Sequence, residues 1–130
     1  KFILGKLDIA SIQSHRRRNW LQLSREFQSG ALANCNFRPL YRNLDENEVP
    51  LAFPVVVKTG KRDMLKTFLA AHNIFCPIHW QLNQTGDHKI FPLDSQLSQS
   101  ILTIPIDQRI SPDGLDYLIY TLPKFEKETI

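Results

Sequence analysis

Three stretches of this sequence hold side chains able to do chemistry. His79 and Trp80 stand side by side just after Pro77, at the end of a short apolar run. An imidazole there can donate to phosphate or sugar oxygens, and an indole can stack on a ring. The same pair would serve equally as structure, with Trp80 in a core or interface and His79 bonded to a neighbour. A second stretch, His15-Arg16-Arg17-Arg18-Asn19, is strongly basic. On a helix these residues fan out about 100° apart, so they do not make one patch. Arg16 falls in an apolar row with Ile12, Trp20, Leu23 and Phe27, where its stem can pack while its head stays in water. Arg16 and Trp20 are the candidates for an interface. A third stretch, Pro105-Ile106-Asp107-Gln108-Arg109, brings a charged pair out of a buried strand. Arg109 can reach a site from there, or Asp107 can simply brace a turn by accepting backbone N–H bonds.

The absences are as informative. His15, His72, His79 and His88 are scattered, with no two at ligand spacing on one expected helix, so no metal site is assigned. There is no Gly-rich phosphate loop, no nucleophile elbow and no Cys/His pair in a working arrangement. No residue is assigned as catalytic, because the stretch lacks a complete catalytic apparatus.

The elements that must position these residues follow from periodicity and punctuation. Residues 8–29 read as a helix by their three-to-four apolar spacing, and Gly30 is placed to end it. Residues 31–49 lose periodicity and read as a long irregular connection. Residues 49–58 (VPLAFPVVVK) read as a strand, with Pro54 at an edge or bulge because it cannot donate a ladder bond. Thr59-Gly60 reads as a turn offering a helix cap. A second helix follows over 61–72, with Met64, Leu65, Phe68, Leu69 and His72 on one face. Residues 74–80 read as a strand broken at Pro77, and 81–93 as a loop. Asp94 or Ser95 caps a short helix to about Ser100, and 101–106 is a buried strand. Ser111-Pro112-Asp113 is a strong helix start: a cap, a proline at the first position and an acid in the first turn. Leu115, Leu118, Ile119 and Leu122 line that last helix, which Pro123 stops or kinks. The expected fold is α/β of the α+β kind, a small mainly antiparallel sheet of three or four strands covered by helices on one face.

Bulk numbers agree with one domain over residues 1–130. Hydrophobic residues make up 42% and charged ones 22%, ordinary values for a globular chain, and a net charge of +3 does not call for nucleic acid. No apolar run approaches the roughly 18–20 residues of a membrane span. Two cysteines, Cys35 and Cys76, suit a reducing cytoplasm better than a disulfide framework. The chain opens on Lys1 rather than methionine, which leads us to expect a piece of a longer protein, with residues 1–11 as a linker.

Read in order, three segments resemble the C-terminal part of the DegT/DnrJ/EryC1/StrS aminotransferases. Arg17-Arg18-Asn19-Trp20-Leu21-Gln22-Leu23 is similar to that family's basic helix. Residues 49–80 have its proline-containing strand, its helix start at Arg62-Asp63-Met64-Leu65, and its strand ending in a histidine and an aromatic. Residues 91–122 look like its helix running into a leucine-proline strand, then a capped helix. Asn73 stands where the family often has glycine. The resemblance implies the small C-terminal domain of a pyridoxal-phosphate (PLP)-dependent aminotransferase. In the complete enzyme PLP would form a Schiff base with a lysine of the missing N-terminal large domain, so none is expected on this piece. The reaction implied moves an amino group, typically from glutamate, to a nucleotide-linked keto sugar, in a homodimer with no nucleic acid or membrane partner. The domain would cover the cleft, with His79, Trp80 and then Arg109 nearest substrate or cofactor. Two other readings stay open: a free-standing α/β ligand-binding or regulatory module, and a nucleic-acid binder using the arginine run.

Overall fold

A computed structural model describes residues 7–58, 60–79, 82 and 91–128; Trp80 and Thr59 lie outside the described residues. The elements run α1 (Ile9–Ser29), β1 (Phe37–Pro39), β2 (Phe53–Val57), α2 (Arg62–Ala71), α3 (Pro92–Ser100), β3 (Ile101–Ile104), α4 (Pro112–Thr121) and α5 (Lys124–Glu128). The strands form an antiparallel sheet in the order β1-β2-β3. The α+β expectation of a small antiparallel sheet under helices is met, with three strands among the described residues.

The register explains which face is the core. Phe37 lies opposite Val57, Val55 opposite Leu102, and Phe53 opposite Ile104. All six are buried. Alternation sends Arg38, Pro54, Val56, Ile101 and Thr103 to the other face. Helix α1 lies on the core face. Trp20 meets Phe53 at 5.4 Å between ring centroids, and Phe27 stacks on Phe53 at 5.7 Å. Leu65 and Leu69 of α2 and Leu115 and Leu118 of α4 complete the core.

Local chemistry sets the helix ends. Asp8 caps α1 by accepting the Ser11 N–H at 3.0 Å. Ser111 caps α4 by accepting the Gly114 N–H at 3.1 Å, with Pro112 at the first position, as the sequence suggests. Just past the His72 cap of α2, Asn73 takes φ +60°, the left-handed conformation that favours glycine and, after it, asparagine. Two closing bonds come with it, Ile74 N–H to the Leu69 carbonyl at 2.9 Å and Asn73 N–H to the Ala70 carbonyl at 3.0 Å. That is why asparagine works where the resembled family often has glycine.

Several expectations need correction. The connection after α1 contains the strand β1, too short to show alternation in sequence. Strand β2 is the central strand, but Pro54 lies past the end of β1, so on that side it stands locally at an edge. It is tolerated because it lies opposite Leu40, one residue beyond the last ladder pair of β1. There only its carbonyl is used, accepting the Leu40 N–H at 2.9 Å. Residues 74–79 are not a strand. Pro77 accepts the Thr103 N–H at 3.2 Å but has no N–H to return, so the segment shields the β3 edge without extending the sheet. Helix α3 begins earlier than read, at Pro92, which fits the first helical position. The α2 cap position belongs to Lys61, with no side-chain cap bond. Met64 is exposed, leaving Leu65 and Leu69 as that helix's buried face. Pro123 separates α4 from one further turn of helix, α5.

Candidate functional site

A groove of about 550 Å³ opens on the face of the sheet away from the core. Pro54 of β2 and Ile101 and Thr103 of β3 line it, and so does Trp20 of α1, which reaches it from the core. Its wall is the loop of residues 40–52, which carries Tyr41, Asn43, Asp45, Glu48 and Leu51. Its size falls within the range of roughly 300–1,000 Å³ usual for small-molecule sites.

The loop is pinned. Arg17 donates to the Asp45 carbonyl at 2.7 Å and to the Glu48 carbonyl. Inside the loop, the Asp45 N–H donates to Glu48 Oε2 at 3.0 Å and the Glu48 N–H to the Asp45 carbonyl at 3.1 Å. Composition alone does not reveal this role of Arg17, because its partners are backbone carbonyls some thirty residues away. The neighbouring arginines go elsewhere, as the helical fan requires. Arg16 Nε donates to Gln108 Oε1 at 3.0 Å, and Arg18 donates to Asn19 Oδ1 through Nε at 3.2 Å and Nη2 at 3.0 Å. Asn19, buried, spends its Nδ2 on the carbonyls of Ile106 at 3.2 Å and Asp107 at 3.3 Å. A run that reads as surface charge in sequence thus fastens α1 to the groove loop and to the exit of β3.

His79 is half-buried and lines the groove. Its Nδ1 lies 3.0 Å from Thr103 Oγ1. Thr103 is held in turn through its backbone N–H by Pro77, so both strand and segment orient the ring. Trp20 is buried, with 4% exposure, and joins His79 at this groove. Arg109 does not line it. Its side chain is 83% exposed and makes a two-pronged pair with Asp107, Nε to Oδ1 at 2.9 Å and Nη2 to Oδ2 at 3.0 Å. The Arg109 N–H also donates to Asp107 Oδ1 at 2.9 Å, giving the braced turn. Hydrogen bonds from the Arg109 side chain hold the Asp107 carboxyl below its ordinary pKa. Among the described residues no group of three His, Cys, Asp or Glu side chains could hold a metal.

The groove can therefore orient a ligand. Aromatic surface, an imidazole, an amide and two carboxylates suit a hydroxylated molecule. It does not fit PLP as a holding site. None of the described lysines (Lys58, Lys61, Lys66, Lys124 and Lys127) lines it, and Lys124 instead sits 3.9 Å above the Tyr120 ring.

No family model matches this sequence, and no curated protein matches it. Solved structures do match the fold. A DegT DnrJ EryC1 StrS aminotransferase from Brucella abortus covers 95% of this chain at TM-score 0.71 and 18% identity. PseC of Helicobacter pylori, an aminotransferase of pseudoaminic acid biosynthesis, covers 90% at TM-score 0.71 and 15% identity. The PLP form of a Streptococcus pneumoniae protein, assigned as a sugar aminotransferase, covers 93% at TM-score 0.75 and 16% identity. The fold is that of one part of the sugar aminotransferases. This chain spans only about a third of their length: 34%, 33% and 33% of those three chains.

Proposed function

We propose that this chain is the small C-terminal domain of a PLP-dependent aminotransferase that transfers an amino group from glutamate to a nucleotide-linked keto sugar. The observation that carries the reading is the overlay of nine tenths of the chain on a third of several sugar aminotransferases. Placement of the lysines supports the second half of it. With none of the described lysines at the groove, the reading puts the lysine that binds the cofactor in a large domain outside residues 1–130. PLP supplies the electron sink there, and this domain's residues orient the substrate. His79 is the residue at substrate, its Nδ1 held 3.0 Å from Thr103 Oγ1 in the groove lining. Trp80, its neighbour in sequence, is assigned to the same mouth. Arg109 takes a lesser part from the outer turn. The whole enzyme works as a homodimer in the cytoplasm.

The test uses the full-length protein. Incubated with PLP and glutamate, it releases 2-oxoglutarate in an amount equal to the enzyme before any keto acceptor is added. His79→Asn, which can keep a bond to Thr103, lowers kcat/KM by roughly five- to tenfold, about the worth of one hydrogen bond. Its thermal midpoint stays close to the parent's. Failure to release 2-oxoglutarate would remove the aminotransferase reading. Unchanged kinetics in His79→Asn would return that residue to a packing role.

A further inference from the structure

Helix α3 is built inside out. Its buried residues are Ser95 and Ser100, whereas Leu93 is 78% exposed and Leu97 36% exposed. The orientation is fixed from inside. Buried Arg62 donates to the Ser98 carbonyl at 2.7 Å, near the helix C-terminus, where carbonyls lack helical partners. Ser100 Oγ donates back to the Gln96 carbonyl at 2.9 Å and satisfies itself. The leucines are thus held outward, four residues apart on one helix face.

They border a cleft of about 580 Å³ lined by Val56, by Arg38 opposite it on β1 and by Lys58 just beyond β2. Neither cation makes an ion pair among the described residues, and no acid lines the cleft. Glu126, which reaches Asn36 at one end, is occupied by that residue's backbone and amide N–H groups. Leu93 stays 78% exposed although it lines the cleft. Exposed apolar area of this kind, next to unpaired cations, marks a polypeptide partner that is apolar and acidic.

We infer that the α3 cleft is the docking site of an acidic, apolar segment of the same protein, outside residues 1–130. The inference rests on the reading above, in which two thirds of the chain lie elsewhere. Carboxylates of that segment face Arg38 and Lys58, and its apolar side chains cover Leu93 and Leu97.

The experiment is zero-length carbodiimide cross-linking of full-length protein, mixed from unlabelled and 15N-labelled chains, with peptide mapping at Lys58. The expected product joins Lys58 to an Asp or Glu outside residues 1–130, within one isotope label. Leu93→Asp, a change at an exposed position, abolishes that product and leaves the circular dichroism spectrum unchanged. A mixed-label product would mean that a second copy covers the cleft and would overturn the inference. Links confined to residues 1–130, or none, would overturn it as well. If the protein proves longer and carries its PLP lysine elsewhere but Lys58 reaches nothing there, the docking site alone fails. If the protein has no further residues, the proposed function fails with it.

Discussion

Phe53→Ala will destabilise the chain by about 3–5 kcal/mol, the usual cost of deleting a fully buried aromatic. Phe53 is 1% exposed and lies where α1 meets the central strand, between the Trp20 and Phe27 rings. Truncation removes its own burial and takes a ring partner from both Trp20 and Phe27, of which Phe27 keeps Phe37 at 5.8 Å. The cavity cannot collapse easily, because Phe53 is anchored opposite Ile104 in the ladder. For a chain of this length the loss corresponds to a drop in Tm on the order of 10–15 °C. Phe53→Leu, which keeps much of the volume, costs about 1–2 kcal/mol. Calorimetry or urea unfolding checks both. Equal losses for the two variants would contradict the packing account.

The folded chain will also conceal a thiol almost completely. Burial pushes Cys76 up to about 12, and nearby Lys66 offsets this only in part. Thiolate is the reactive form, and an ordinary thiol titrates near 8.5. At pH 8 the Cys76 thiolate is therefore scarcer by roughly three orders of magnitude, and labelling by a disulfide reagent slows accordingly. Cys35, half-buried, is pushed to about 11, by burial first and by Glu126 second, so it labels before Cys76. In denaturant both react at ordinary rates. Both groups also tie stability to alkaline pH. The unfolded thiols lose protons above about pH 8.5 while the folded ones keep theirs, so the folded state binds more protons. Stability then falls as pH rises from there toward 11–12. Rapid labelling of Cys76 in native protein at pH 8 would contradict its burial.

Much of this fold was legible where local signals agreed. Helix α4 combines a serine cap, a first-position proline and apolar spacing, and all three hold in the structure. Helix α1 and strands β2 and β3 were likewise marked by periodicity or a Val/Ile/Leu run. What was hidden depended on distant partners. Strand β1 is three residues long and exists because β2 pairs with it. Residues 74–79 have a strand's composition but a proline where the return bond would be. Helix α3 has leucines that sequence reasoning would turn inward, yet Arg62 from α2 holds its serine side to the core.

The candidate site divides in the same way. His79 could be singled out because imidazole beside an indole after a proline is unusual, and the structure puts it on a groove. Arg17 could not. Its hold on the carbonyls of Asp45 and Glu48 leaves no mark in composition, though it shapes the groove wall. Asn19 was visible only as the end of a basic run, while its role is to join α1 to the chain leaving β3.

The account rests on a division of labour between this domain and a lysine elsewhere in the protein. Borohydride reduction of full-length protein with PLP, followed by peptide mapping, reads that division directly. We expect one trapped adduct, on a lysine outside residues 1–130. An adduct at a single lysine within these residues, or no specific adduct at all, would contradict it.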